Sequence, residues 1–234
     1  MPSTRYQKIN AHHYRHIWVV GDIHGEYQLL QSRLHQLSFF PEIDLLISVG
    51  DNIDRGPESL DVLRLLNQPW FTSVKGNHEA MALEAFETGD GNMWLASGGD
   101  WFFDLNDSEQ QEAIDLLLKF HHLPHIIEIT NDNIKYAIAH ADYPGSEYLF
   151  GKEIAESELL WPVDRVQKSL NGELQQINGA DYFIFGHMMF DKEVAIKWSA
   201  APDMTPQTVL YRRPVAQFSN FQPKIVSSWL ILAL

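Results

Sequence analysis

Short apolar runs of strand length alternate with stretches of helical period along most of the chain. His16-Ile17-Trp18-Val19-Val20-Gly21 reads as a buried strand that stops at Gly21. Tyr27 to Leu37 then places apolar residues at 27, 29, 30, 34 and 37, close to helical spacing. The plan repeats. Asp44 to Val49 predicts a second strand, and Pro57 marks a helix start ahead of Leu60, Leu63, Leu65 and Leu66. Residues 70–75 predict a third strand, followed by a helix from Ala80 to about Phe86. Gly89 to Gly99 is a glycine-containing insertion with apolar Met93, Trp94 and Leu95. Ser108 and Gln111 have capping-box spacing ahead of a helix over 109–120, which Pro124 stops. Ile126–Ile129 and Ile134–Ala139 predict a hairpin across Asn131-Asp132-Asn133. Residues 156–170 are weakly periodic, and Tyr182–Phe185 is the last clear strand.

Polar residues gather where these strands end. The exits carry Asp22 and His24; Asp51, Asp54 and Arg55; Asn77 and His78; His140; and His187. Sheet topology brings such ends to one edge, where open α/β folds bind ligands. Taken singly each residue has an ordinary explanation: Asp22 and Asp51 as helix caps, Asn77 as a turn residue, a histidine as a surface or core group. Their shared placement points instead to a site. Asp22, His24, Asp51, Asn77, His140 and His187 offer oxygen and nitrogen donors without sulfur, a set suited to Mn, Fe, Zn or Co. Six donors suffice for two cations about 3.5–4 Å apart when one carboxylate is shared. Asp51, in the central Gly50-Asp51-Asn52-Ile53-Asp54-Arg55-Gly56 stretch, is the natural bridge. His12, His13, His16, His35, His121, His122 and His125 fall outside the pattern and read as structural or surface groups.

Composition narrows the chemistry further. The 234 residues contain no cysteine, which removes disulfides, thiolate metal sites and a cysteine nucleophile. A net charge of -14 argues against a nucleic-acid backbone as partner. There is no signal-peptide pattern at Met1–Asn10 and no apolar run of membrane-spanning length, so a cytoplasmic protein without a membrane partner is expected.

Gly21-Asp22-Ile23-His24-Gly25, the Gly50–Gly56 stretch, Gly76-Asn77-His78-Glu79, His140-Ala141-Asp142-Tyr143-Pro144 and Phe185-Gly186-His187 together resemble the phosphoprotein phosphatase family of metallophosphoesterases. The likeness is strongest to its small phage and enteric-bacterial serine/threonine phosphatases, and it runs from about Ile17 to Phe190. It implies an α/β (α+β) calcineurin-like fold, with a central β-sandwich flanked by helices and a dinuclear metal site at strand ends. Asp22 and His24 would hold one ion, Asn77, His140 and His187 the other, and Asp51 both. The implied cofactors are two divalent transition metal ions, first Mn and otherwise Fe, Zn, Ni or Co. Metal-bound hydroxide would attack the phosphorus of a phosphomonoester directly. His78 would protonate the leaving oxygen, Asp54 would orient His78, and Arg55 would hold the phosphate. The implied partners are phosphorylated proteins met by a monomer, with serine and threonine esters as substrates and tyrosine left open.

The sequence departs from the family pattern in three places. Val163 stands where close members carry a second phosphate-binding arginine, and Arg165 is the candidate to replace it. Met188 follows His187 where threonine is usual. The family's closing strands, with an Asn and an Asp-Thr-Gly segment, have no counterpart. Residues 1–190 therefore read as the catalytic domain and 191–234 as an atypical tail. That tail holds four of the 11 prolines and five basic against three acidic residues, and its character suggests foreign or out-of-frame sequence. Within the tail, 208–211 has strand character but too little context to assign. Without the family's closing strands, sheet edges are expected to lie unpaired. The enzymatic alternative is a symmetrical diadenosine tetraphosphatase. Those enzymes typically lack the acid at Asp54 and carry aspartate at the position of Glu79. The non-enzymatic alternative is an inactive relative that binds metal or phosphopeptide.

Overall fold

The computed structural model describes residues 4–171, 173, 177–188, 194–198, 207–211 and 231–234. In chain order the elements are β1 (Tyr6–Asn10), β2 (Ile17–Val20), α1 (Tyr27–Gln36), β3 (Leu45–Ser48), α2 (Ser59–Arg64), β4 (Phe71–Ser73) and α3 (Asn77–Thr88). There follow α4 (Asn92–Ala96), a 3-10 segment (Gly99–Asp104), α5 (Asp107–Leu117), β5 (Ile126–Asn131), β6 (Ile134–Ala139), α6 (Glu156–Leu160), α7 (Asp164–Leu170) and β7 (Tyr182–Ile184). The described parts of the tail are β8 (Val194–Trp198), β9 (Gln207–Tyr211) and β10 (Ile231–Ala233).

Two four-stranded sheets stack as a sandwich, one ordered β10-β2-β3-β4 and the other β1-β5-β6-β7. In the first, β2, β3 and β4 run parallel and β10 antiparallel to β2. In the second, β5 and β6 form the predicted antiparallel hairpin, while β1 and β7 lie parallel to β5 and β6. Alternation along each strand builds the layers, because neighbouring side chains point to opposite faces. Ile17, Val19, Leu45 and Ile47 from one sheet meet Ile127, Ile129, Ile138 and Ile184 from the other in a continuous buried cluster. Their neighbours Val20 and Leu46 face outward and pack with Leu30, Leu34, Val62 and Leu65 of α1, α2 and the turn after it. A third cluster is helical: Met81, Trp94, Trp101, Phe102, Leu116 and Leu117 join α3, α4, the 3-10 segment and α5. Among the described residues no helix is long and apolar enough to cross a membrane.

Several expectations need correction. The helix expected from Ala80 begins at Asn77, because the Glu79 carboxylate accepts the Gly76 N–H at 2.9 Å and so caps the first turn. Asn77 and His78 therefore sit on a helix start and not in the preceding loop. The next capping box uses Asn106 and Glu109 in place of Ser108 and Gln111: Asn106 Oδ1 accepts Ser108 N–H at 3.0 Å and Glu109 N–H at 3.1 Å. Residues 208–211 fall in β9, which pairs antiparallel with β8. Sheet edges were expected to lie unpaired, but β10 covers the outer edge of β2 over Ile231↔Val20 to Ala233↔Trp18. β1 was not anticipated: in Tyr6–Asn10 only Ile9 is buried, so the strand carries little apolar pattern.

Candidate metal centre

Strand ends from both sheets converge on one region, rather than the ends of a single sheet. β2 delivers Asp22 and His24, β3 the 50–56 loop, and β4 leads into α3 with Asn77 and His78. The second sheet supplies His140 after β6 and His187 after β7. Backbone bonds tie the exits together: Ile23 and His24 both donate to the Asp51 carbonyl at 2.9 Å, and Gly186 donates to His140 O at 2.7 Å. His24, Asp51, Asp54, Arg55 and His187 all adopt left-handed backbone, with φ of 47°, 50°, 73°, 70° and 67°. Such conformations cost of order 1–3 kcal/mol each and cluster at functional sites. Gly76 is required by close approach, since a Cβ there would lie 2.3 Å from the Asp51 nitrogen and from its Oδ1.

All six expected donors come together. His24, Asp51 and His78 present ligand-type atoms within 4.8 Å of one another, as do Asp51, His140 and His187, so Asp51 is common to both groups. Asp22 enters from β2, its Oδ1 accepting the His187 N–H at 3.0 Å. His24 Nδ1–H donates to Ile53 O at 2.9 Å and His140 Nδ1–H to Val49 O at 2.8 Å. These bonds fix the tautomer and aim each Nε2 into the site, as metal-binding histidines commonly arrange. Asn77 Oδ1 lies 2.8 Å from His140 Nε2 and 2.9 Å from His187 Nδ1, and the same position is 3.2 and 3.3 Å from the two Asp51 oxygens. With its NH2 turned to that position Asn77 donates to both imidazoles and to Asp51, and with its oxygen there it joins them as a lone-pair donor to a cation. The donor set therefore fits divalent cations.

The electrostatics agree. Burial, and then the charge of Asp51, push Asp22 up to about 7. Asp51 goes the other way: burial opposes ionisation, but His140, His78 and His24 hold it well below the carboxylate range. Burial lowers His24 to about 3, and burial with the charge of His140 lowers His187 to about 4, so both imidazoles keep free lone pairs. His140 overcomes burial because Asp51 lies 3.4 Å away, and it rises to about 9. Cation binding at such a site displaces protons.

His78 faces the same space from the helix start. Its Nδ1 lies 2.6 Å from Asp54 Oδ2, and both side chains are buried. Burial alone would lower the His78 pKa, but the Asp54 hydrogen bond and the Asp51 charge outweigh it and raise it. Arg55 spreads its guanidinium over the opening, with Nη1 3.0 Å from His24 Nε2 and Nη2 3.0 Å from His78 Nε2. Arg165 is placed otherwise. Its Nε donates to Asp142 Oδ1 at 2.6 Å, and its Nη2 to the Tyr143 and Gly145 carbonyls at 2.9 and 3.0 Å, so it braces the loop that follows His140.

Three supporting residues had no assigned role in the sequence. Glu79, fully buried, accepts N–H groups from Gly76, Asp51 and Asn52 at 2.9, 3.1 and 2.6 Å, and the Asn52 amide at 3.2 Å. It locks the central loop to the start of α3. Its spacing from Gly76 is the signal that could have revealed it. Trp94 and Trp101 both donate to the Asp54 carboxylate, and nothing in their local sequence announces that.

The family model described as calcineurin-like phosphoesterase matches residues 15–190. Serine/threonine-protein phosphatase 2 of Salmonella typhimurium is 58% identical over 191 residues, covering 82% of this chain and 88% of that protein. Serine/threonine-protein phosphatase 1 of the same organism is 45% identical, covering 80% and 84%. A symmetrical bis(5'-nucleosyl)-tetraphosphatase of Erwinia tasmaniensis is 33% identical, but only over 53% of this chain and 43% of its own.

Proposed function

The chain belongs to the calcineurin-like phosphoesterase family, and we propose that it is a metal-dependent phosphoprotein phosphatase that hydrolyses serine and threonine phosphomonoesters. The observation that carries this reading is the His78–Asp54 pair, 2.6 Å apart, beside the converged donors. A serine or threonine alkoxide is a poor leaving group and needs a proton as the P–O bond breaks. A nucleotide leaving from a dinucleoside polyphosphate departs as a stable phosphate anion and has no such need. A buried imidazole backed by a carboxylate answers the first demand.

In this reading Asp22 and His24 would hold one cation, Asn77, His140 and His187 the other, and Asp51 would be shared. Carboxylate, amide and imidazole donors accommodate Mn, Fe, Zn, Ni or Co, and Mn comes first only by likeness to the small bacterial phosphatases. When bound, such a cation pair lowers the pKa of water toward neutrality and draws charge from the phosphoryl group. The Arg55 fork moves from the two imidazoles onto phosphate oxygens, where its planar geometry makes paired charged hydrogen bonds. His78 carries its proton at Nε2 toward the leaving oxygen, while Nδ1–H stays on Asp54. Arg165 serves the phosphate indirectly, by fixing the loop after His140. All of these groups lie before residue 190, which supports 1–190 as the part that carries the chemistry, although β10 of the tail completes the first sheet.

The test is a side-by-side assay of the Mn-loaded protein on a phosphoserine or phosphothreonine peptide and on diadenosine tetraphosphate. The peptide is expected to turn over at least about 100-fold faster, the scale of a positioned general acid. Faster cleavage of the dinucleotide would overturn the reading.

A further inference from the structure

We propose that Trp94 and Trp101 are positioning residues for the general acid, and that the segment from α4 through Asp104 exists in part to supply their indole N–H groups. The proposal rests on the reading of His78 as proton donor and extends it to a part of the chain that touches neither cation nor phosphate. Trp101 Nε1–H donates to Asp54 Oδ1 at 2.7 Å, and Trp94 Nε1–H is shared between Oδ1 and Oδ2 at 2.9 and 3.1 Å. With His78 Nδ1 at 2.6 Å on Oδ2, a fully buried carboxylate has donors on both oxygens. An indole is a donor only and does not titrate. Two indoles therefore pin the carboxylate plane without competing for the proton that His78 carries. The Asp54 backbone N–H, at φ 73°, is held in addition by Ser59 Oγ at 2.9 Å.

The indoles are themselves fixed by aromatic packing. Trp94 meets Phe86 at 5.4 Å, Phe102 at 5.7 Å and Trp101 at 6.3 Å between ring centroids. Gly99 gives Trp94 its room, since a Cβ there would come within 2.6 Å of the indole ring. The same segment reaches the 50–56 loop a second time, where Gly98 O accepts the Arg55 N–H at 3.2 Å. Without the indoles, Asp54 Oδ1 loses its two bonds inside the protein, and the carboxylate is free to turn about its Cβ–Cγ bond. Imidazole orientation then relaxes, and proton delivery to the leaving oxygen suffers while cation and phosphate binding stay in place.

Leaving-group dependence separates this role from a merely structural one. Trp101→Phe and Trp94→Phe keep an aromatic ring in the cluster and remove only the N–H and part of the ring volume. Trp18→Phe is the control, because the Trp18 Nε1 is buried without a hydrogen-bond partner among the described residues. In the Mn-loaded protein each indole variant is expected to lower kcat on a phosphoserine peptide about 10- to 100-fold, part of the general-acid contribution. The same variants change kcat on p-nitrophenyl phosphate, whose leaving group needs no proton, less than about 3-fold. KM, metal content and the Trp18→Phe control stay near wild type. Equal losses on both substrates, or no loss on either, would overturn the proposal. His78→Asn is assayed in parallel. If it too slows both substrates equally, the proton-donor reading itself fails, a different signature from failure of the indole role alone. An independent readout uses the metal-free protein: Asp54→Asn is expected to shift the indole N–H resonances of Trp94 and Trp101 in 1H–15N spectra and leave that of Trp18 in place. Unmoved Trp94 and Trp101 resonances count against the proposal.

Discussion

His78→Asn lowers turnover of a phosphoserine peptide by about 100- to 10,000-fold, the range of a lost general acid, while two cations remain bound. The expectation follows from where each part of His78 is held. Its imidazole Nδ1 belongs to Asp54 at 2.6 Å, and Nε2 points to the Arg55 side of the site. Its backbone N–H donates to Asp51 Oδ1 at 3.0 Å, a contact the substitution keeps. Asparagine is of similar reach at the first ring position and preserves a polar partner for Asp54, but it cannot deliver a proton. The result also decides between two roles for His78, proton donor and metal ligand. His78 lies with His24 and Asp51 in one group of ligand-type atoms, whereas Asp22 is the expected companion of His24. Metal analysis of the purified variant, alongside steady-state kinetics, makes the distinction. Loss of a cation would make His78 a ligand and remove it as the acid.

Asp51→Asn is expected to be more damaging, because Asp51 is common to both ligand groups. It is buried, and the imidazoles around it, His140 first, hold it ionised against the cost of burial. Neutralising the shared carboxylate weakens both cation sites together. Changing even an outer partner of a ligand costs about 10- to 100-fold in metal affinity, so loss of a bridging ligand should exceed the upper end of that range. The backbone bond from residue 51 to Glu79, 3.1 Å in the wild type, survives the change, so the loop keeps its shape. Metal content below one ion per chain with background turnover is the expected outcome, read by elemental analysis and the peptide assay. Retention of two ions at wild-type affinity would remove Asp51 as the bridge.

The parts of the molecule that the sequence disclosed were those where chemistry and pattern coincide. An apolar run ending in Gly-Asp or in histidine marks a strand exit, and those exits did carry the converging donors. Their distribution over two sheets was not readable from pattern, since alternation reports which face of a strand is buried but not what lies opposite it. β1 escaped notice because an edge strand with a single buried side chain has almost no pattern to detect. The start of α3 was misplaced because Asn77 and His78 face the site and break the apolar period, although Gly76 and Glu79 had capping spacing. The two indoles were beyond local reasoning: they lie 40 and 47 residues from Asp54, and only the folded chain brings them to it. Arg165 illustrates the same limit, since a count of positions brought it near the phosphate while the structure turns it onto Asp142.

In the proposed mechanism one buried cluster uses two cations at once to hydrolyse a phosphomonoester. Titrating the metal-free protein with Mn, while measuring bound ion and phosphoserine-peptide turnover on the same samples, tests it most directly. Turnover is expected to lag through the first equivalent, rise with the second and level off at two ions per chain. Full turnover at one ion, or two bound ions without turnover, would contradict it.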